Sequence, residues 1–125
     1  MNNRTVKPIW KHKIVLVVED DADVRLELEE LLTDDGYRVL LASNGREALS
    51  VLEHVKPNLI LLDLMMPLVN GWDVMAAIAT DPLLTDIPVV VLSAYVDQAP
   101  KGVVCAMSKP ISCDDLRDVV HRHCE

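Results

Sequence analysis

Three carboxylates, one hydroxyl and one amine stand beyond the ends of the apolar runs of this chain. Glu19 and Asp20 follow Ile14 to Val18, Asp63 follows Leu59 to Leu62, Ser93 follows Val89 to Leu92, and Lys109 follows a last run at Val103 and Val104. One polar residue at such a place means little, because the ends of strands run into wet loops. Five compatible residues together are harder to assign to solvation. Carboxylates forced together repel, which raises their proton affinity until a cation neutralises them. Mg²⁺ suits an open acidic cluster, since it takes oxygen ligands, keeps several waters and commonly binds one or two carboxylates together with phosphate oxygens. Zinc would require Cys or His, and neither stands at these positions. A carboxylate can attack phosphorus, a divalent ion offsets charge on the transferring group, an ammonium pairs with a phosphate oxygen, and a hydroxyl donates to another. These residues are the parts of a phosphoryl-acceptor site.

Such a site needs elements that bring the five groups to one edge. The unbroken branched runs at Ile14–Val18, Leu59–Leu62 and Val89–Leu92 predict strands buried on both faces, with a weaker strand at Arg38–Ala42 and the last at Val103–Val104. Between them, apolar residues recur at helical spacing: Val24, Leu28, Leu31 and Leu32; Ala48, Leu49, Leu52 and Val55; Val74, Met75 and Ile78. Leu116, Val119 and Val120 mark a final helix, with Ser112 as its N-cap and Asp114 and Asp115 in its first turn. Asp21 can cap the first helix, Gly36 sits just past its end, and Pro57, Pro82, Pro88 and Pro110 fall between elements. Strands alternating with helices imply a parallel sheet joined by right-handed crossovers, covered on both faces, with ligands bound beyond the carboxyl ends of the strands.

Length and composition narrow the function classes. A chain of 125 residues, half of them hydrophobic and 26% charged, fits one globular core. The formal net charge of -8 and an aromatic content of 3% disfavour direct binding to nucleic acid, which relies on clustered cations and stacking rings. No apolar run approaches the length of a membrane span, and the segment before Lys13 lacks the apolar middle of a secretory signal, so a cytoplasmic location is expected. Cys105, Cys113 and Cys124 are odd in number and widely spaced, which predicts reduced thiols.

At this point the sequence resembles the receiver domains of two-component response regulators. The matching strings are IVLVVEDDADVR (14–25), LILLDLMMPLVNGWDV (59–74), VVVLSA (89–94) and SKP (108–110). The resemblance implies a flavodoxin-like, doubly wound α/β fold whose five-stranded parallel sheet has the order 2-1-3-4-5. It implies a receiver domain over residues 13–125 behind a flexible tail at 1–12. It makes Asp63 the phosphoacceptor, Asp20 and Asp63 direct Mg²⁺ ligands, Glu19 a ligand through water, and the main-chain carbonyl of Met65 the third protein ligand. Ser93 becomes the hydroxyl that moves to meet the phosphoryl group and Lys109 its ion-pair partner, followed by a cis bond to Pro110, while Pro67 and Gly71 match the turn beyond the acceptor. The implied partners are a histidine kinase or histidine phosphotransfer protein and a downstream effector protein. Self-catalysed phosphorylation and slow dephosphorylation, without turnover of a separate substrate, are expected.

The pattern also departs from the family. Ala106 stands where receivers usually carry an aromatic residue that reports phosphorylation. Ser93 and Lys109 are close in sequence, with Pro100 and Gly102 between them, so the fourth helix is expected to be short, displaced or absent. Tyr95 could supply a substitute moving ring, but an exposed loop tyrosine with no signalling role explains it better. Met65 and Tyr95 occupy the family's positions that govern attack of water on the acyl phosphate. Both are bulky, which predicts a long-lived phosphorylated form. His121 and Cys124 share one helix face, but a solvated helix end explains them better than a metal site. Two other functions stay open: a phosphorylation-independent adaptor with this fold, and an aspartate-nucleophile phosphatase, which would need an acid where Met65 stands.

Overall fold

The computed structural model describes residues 13–66, 69–94 and 99–124. The expectations for the 1–12 tail, Pro67 and Tyr95 fall outside them. The chain runs β1 (Ile14–Val18), α1 (Ala22–Asp34), β2 (Arg38–Ala42), α2 (Gly45–Leu52), β3 (Leu59–Asp63), α3 (Gly71–Thr80), β4 (Val89–Ser93), β5 (Cys105–Ser108) and α4 (Cys113–His123). The strands form one parallel sheet in the order β2-β1-β3-β4-β5, the flavodoxin-like arrangement that the resemblance implied. Strand order reverses beside β1, so β1 and β3 diverge into their helices on either side of a crevice at their carboxyl ends.

Helix starts follow the local chemistry. Asp21, Asn44, Asn70 and Ser112 each accept a bond from a main-chain N–H in the first turn of α1, α2, α3 and α4 respectively, satisfying donors that the helix itself cannot. Gly36, at φ 94, turns the chain out of α1 in the left-handed region that glycine tolerates.

Alternation along the strands divides the core into two layers. Leu16, Val18, Ile60, Leu62 and Val89 face α2 and α3, with Ala48, Leu52, Val74, Met75 and Ile78. Val15, Val17, Leu59, Leu61, Val90 and Leu92 face α1 and α4, with Leu28, Leu32, Leu116 and Val120. Complete burial of these strand residues is what a sheet covered on both faces demands.

Two expectations need correction. The last strand is Cys105–Ser108 and not Val103–Val104; Val104 is exposed and only its N–H meets the carbonyl of Val89 at the foot of β4. As an edge strand, β5 is covered on one side: Cys105 and Met107 pack on the α1/α4 layer while Ala106 and Ser108 are exposed, so it lacks the continuous apolar texture of a central strand. Val55 lies beyond the end of α2 and does not extend its stripe. Among the described residues between β4 and β5 there is no helix, in keeping with the short interval there.

Candidate functional site

The side-chain period of two in the strands places the charged residues before any loop is considered. Glu19 continues the parity of Val15 and Val17, Asp63 that of Leu59 and Leu61, and Lys109 that of Cys105 and Met107; all of these apolar residues belong to the α1/α4 layer. Register then brings two of the three together. Val18 pairs with Leu62, so Glu19 and Asp63 are the next residues on adjacent strands. Asp63 itself pairs with Leu92, one residue before Ser93, and Ser93 pairs with Ser108, one residue before Lys109.

Contacts follow that placement. Glu19, Asp20 and Asp63 each offer a carboxylate oxygen within 4.8 Å of the others, the one such group among the described residues. Lys109 Nζ lies 2.6 Å from Glu19 Oε1 and 3.7 Å from Asp63 Oδ2. Glu19 and Asp63 are buried, at 1% and 5% exposure, whereas Asp20 opens to solvent. The Met65 N–H donates to Asp63 Oδ1 at 3.3 Å, laying the backbone beyond β3 against the carboxylate, while the Met65 side chain is 53% exposed at the mouth of the site. Ser93 is buried at the end of β4, and its carbonyl accepts from the Lys109 N–H at 3.1 Å. The Lys109–Pro110 bond is cis.

Burial pushes the Asp63 carboxyl up to about 7, and the negative charge of Glu19 adds to this; Lys109 pulls it part of the way back. Burial alone would lower the Lys109 ammonium, but its bond to Glu19 and the charges of Asp63, Glu19 and Asp20 outweigh that and raise it. The site thus holds more negative charge than one lysine offsets. Hard oxygen ligands from two strand ends, one of them open to water, fit Mg²⁺.

Two features were not foreseen. Arg25 Nη1 donates to the Glu19 carbonyl at 2.9 Å, with a longer contact of 3.4 Å to that of Asp20. Its sequence signal is its isolation, as the single cation among the seven acids between Glu19 and Glu30. The loop beyond the acceptor is also tied to α2, by the Gly45 N–H donating to the Val69 carbonyl at 2.9 Å.

The comparisons agree with this geometry. The profile of the response regulator receiver domain matches residues 15–121. The chain is 40% identical over 83 residues to a probable transcriptional regulator, ycf27, of Porphyridium aerugineum, covering 66% of this chain and 33% of that one. It is 36% identical over 109 residues to the transcriptional regulatory protein PdtaR of Mycobacterium tuberculosis, covering 82% and 52%. The chain therefore spans about a third to a half of the length of these curated relatives. Among solved structures, the signal receiver domain of a signal transduction histidine kinase from Syntrophus aciditrophicus superposes with a TM-score of 0.80 at 28% identity, over 89% of each chain. The response regulator TrrA of Thermotoga maritima, solved in complex with Mg²⁺–BeF, gives 0.80 at 29% identity, over 89% of this chain and 98% of that one. A receiver domain of a Pseudomonas aeruginosa sensor histidine kinase, with magnesium coordinated in its active-site cleft, gives 0.82 at 25%, over 89% and 96%. Five strands in this order, acids at the ends of β1 and β3, a lysine after β5 and a profile match over most of the length lead to one assignment: the chain belongs to the response regulator receiver domain family of two-component signalling.

Proposed function

We propose that this domain is a phosphorylation-dependent switch, accepting a phosphoryl group on Asp63 from a histidine kinase or histidine phosphotransfer protein with Mg²⁺ bound. The observation that carries the reading is the Asp63 carboxylate, buried yet within 4.8 Å of Glu19 and Asp20 and flanked by Lys109. Glu19, Asp20, Asp63 and the Met65 carbonyl would hold the ion, directly or through water. Mg²⁺ would supply charge neutralisation for the incoming phosphate oxygens. Asp63 must be ionised to attack, and Lys109 favours that state against burial and the repulsion of Glu19. An Asp63 oxygen then bonds to phosphorus as the donor imidazole leaves, giving an acyl phosphate. Lys109 exchanges its bond to Glu19 for one to a phosphoryl oxygen. Ser93 has the parity of Val89 on the α2/α3 side, so its hydroxyl comes round the end of β4 to meet the group. The two arrangements of Lys109 and Ser93 are the states that partners read.

Self-phosphorylation and slow loss of the group, without turnover of a separate substrate, complete this reading. The aspartate-nucleophile phosphatase is disfavoured because Met65 offers no acid. The adaptor reading draws on Ala106, whose small exposed side chain on β5 cannot act as a moving ring. No helix among the described residues is long and apolar enough to cross a membrane, which suits a cytoplasmic site of action. Charge makes direct contact of this domain with nucleic acid unfavourable, although relatives named as transcriptional regulators keep nucleic acid among the destinations of the signal.

The test is incubation with a small-molecule phosphodonor and Mg²⁺, read by intact mass and peptide mapping. Wild type is expected to gain one phosphoryl group on the peptide containing Asp63, and Asp63→Asn or chelation of the metal to abolish it. Full labelling of Asp63→Asn, or no labelling of wild type, would overturn the switch.

A further inference from the structure

Resting on the Mg²⁺ reading above, we propose that Arg25 is a positioning residue for the metal site, holding the backbone turn that makes Glu19 and Asp20 face the same ion. Successive residues of an extended strand point to opposite sides, so two adjacent carboxylates can converge only if the chain bends between them. That bend removes two carbonyls from regular pairing. The ladder with β2 ends where the Glu19 N–H meets the Ala42 carbonyl, and the first helical bond of α1 runs from the Arg25 N–H to the Asp21 carbonyl. The carbonyls of Glu19 and Asp20 lie between these two systems, and Arg25 Nη1 reaches both, at 2.9 and 3.4 Å. One guanidinium thus takes up the acceptors that the bend strands.

The placement runs against local electrostatics. Arg25 is the fourth residue of α1, near the end of the helix that favours anions. A cation retained there, tied to main-chain oxygens directly behind the candidate ligands, has a task other than stabilising the helix. Glu47 of α2 is held ionised first by the bonds it accepts from the Ser43 N–H and hydroxyl at 2.6 and 2.7 Å, and the charge of Arg25 adds to this. The Asp21 N–H closes the arrangement by donating to Glu19 Oε2 at 3.2 Å.

Two effects of removing this side chain on Mg²⁺ affinity have opposite signs. If Arg25 acted only through its charge, Arg25→Met would relieve repulsion of the cation and tighten binding. If it positions the turn, Arg25→Met loosens Glu19 and Asp20 and weakens binding, on the scale of about tenfold or more seen when groups orienting metal ligands are lost. The experiment is titration calorimetry of Mg²⁺ into wild type, Arg25→Met and Arg25→Lys, with amide exchange of the metal-free proteins alongside. Weaker binding by Arg25→Met, recovery by Arg25→Lys and faster exchange at the Asp21 amide in Arg25→Met are expected. Wild-type binding with equal or tighter affinity in Arg25→Met, or no recovery in Arg25→Lys, overturns the role of Arg25 alone. Absence of Mg²⁺ binding by wild type overturns the metal reading, and this role with it.

Discussion

The Asp63 carboxyl carries its history of burial in its proton affinity. Raised from 3.8 to about 7, it binds a proton more tightly in the folded state than in the unfolded one. Its contribution to stability is therefore complete below about pH 4 and is lost as pH rises through 7. In chelator, the denaturation midpoint of wild type is expected to fall relative to Asp63→Asn between those limits, and added Mg²⁺ to restore more stability at pH 8 than at pH 5; parallel pH profiles for the two proteins would refute this. Met65 supports a second prediction. Its exposed thioether chain stands at the mouth of the site and is a weak acceptor with no donor for a water, so Met65→Asn, which adds an amide there, should shorten the lifetime of the phosphorylated form when loss of label is followed at neutral pH. The acids and the lysine were legible because residue types at strand ends survive as a pattern in the sequence. Arg25 was not, because a bond from a side chain to main-chain carbonyls depends on a bend that no periodicity encodes.

Helices and central strands could be read from the chain because each leaves its own mark: a spacing of three or four for the stripe of Leu28, Leu31 and Leu32, and an unbroken apolar run for strands covered on both sides. The edge strand β5 escaped because its residues alternate between packed and exposed, and the apolar pair ahead of it looked more like a buried strand than it does. Tight approaches between elements were equally silent. A Cβ on Gly45 would collide with the Val69 carbonyl oxygen, and one on Gly71 would stand 2.6 Å from that of Asp63. Gly45→Ala must push α2 away from the loop beyond the acceptor, and a loss of about 1–3 kcal/mol in unfolding free energy is expected, the usual cost of forced overpacking. Leu116→Ala empties a fully buried position between α4 and the sheet and should cost about 2–5 kcal/mol by denaturant unfolding, with labelling of Asp63 retained under folding conditions.

For the molecule as a whole, the sheet keeps two apolar layers apart and gathers the polar groups of the site at one rim. A formal charge of -8 sets the approach of partners. Association with a basic kinase or effector surface should slow as salt screens attraction beyond about 10 Å near 0.1 M, and stopped-flow rates that ignore ionic strength would exclude such steering. Across that rim, the bond from Lys109 to Glu19 joins residues ninety positions apart. It works as a clasp between the opening strand and the closing helix, since Lys109 stands only four residues before α4. Any chemistry on Asp63 that draws the ammonium elsewhere opens this clasp, leaving β1 and α4 joined by the apolar layer of Val15, Val17, Leu116 and Val120 beneath it, so an event at one atom reaches the approach to α4.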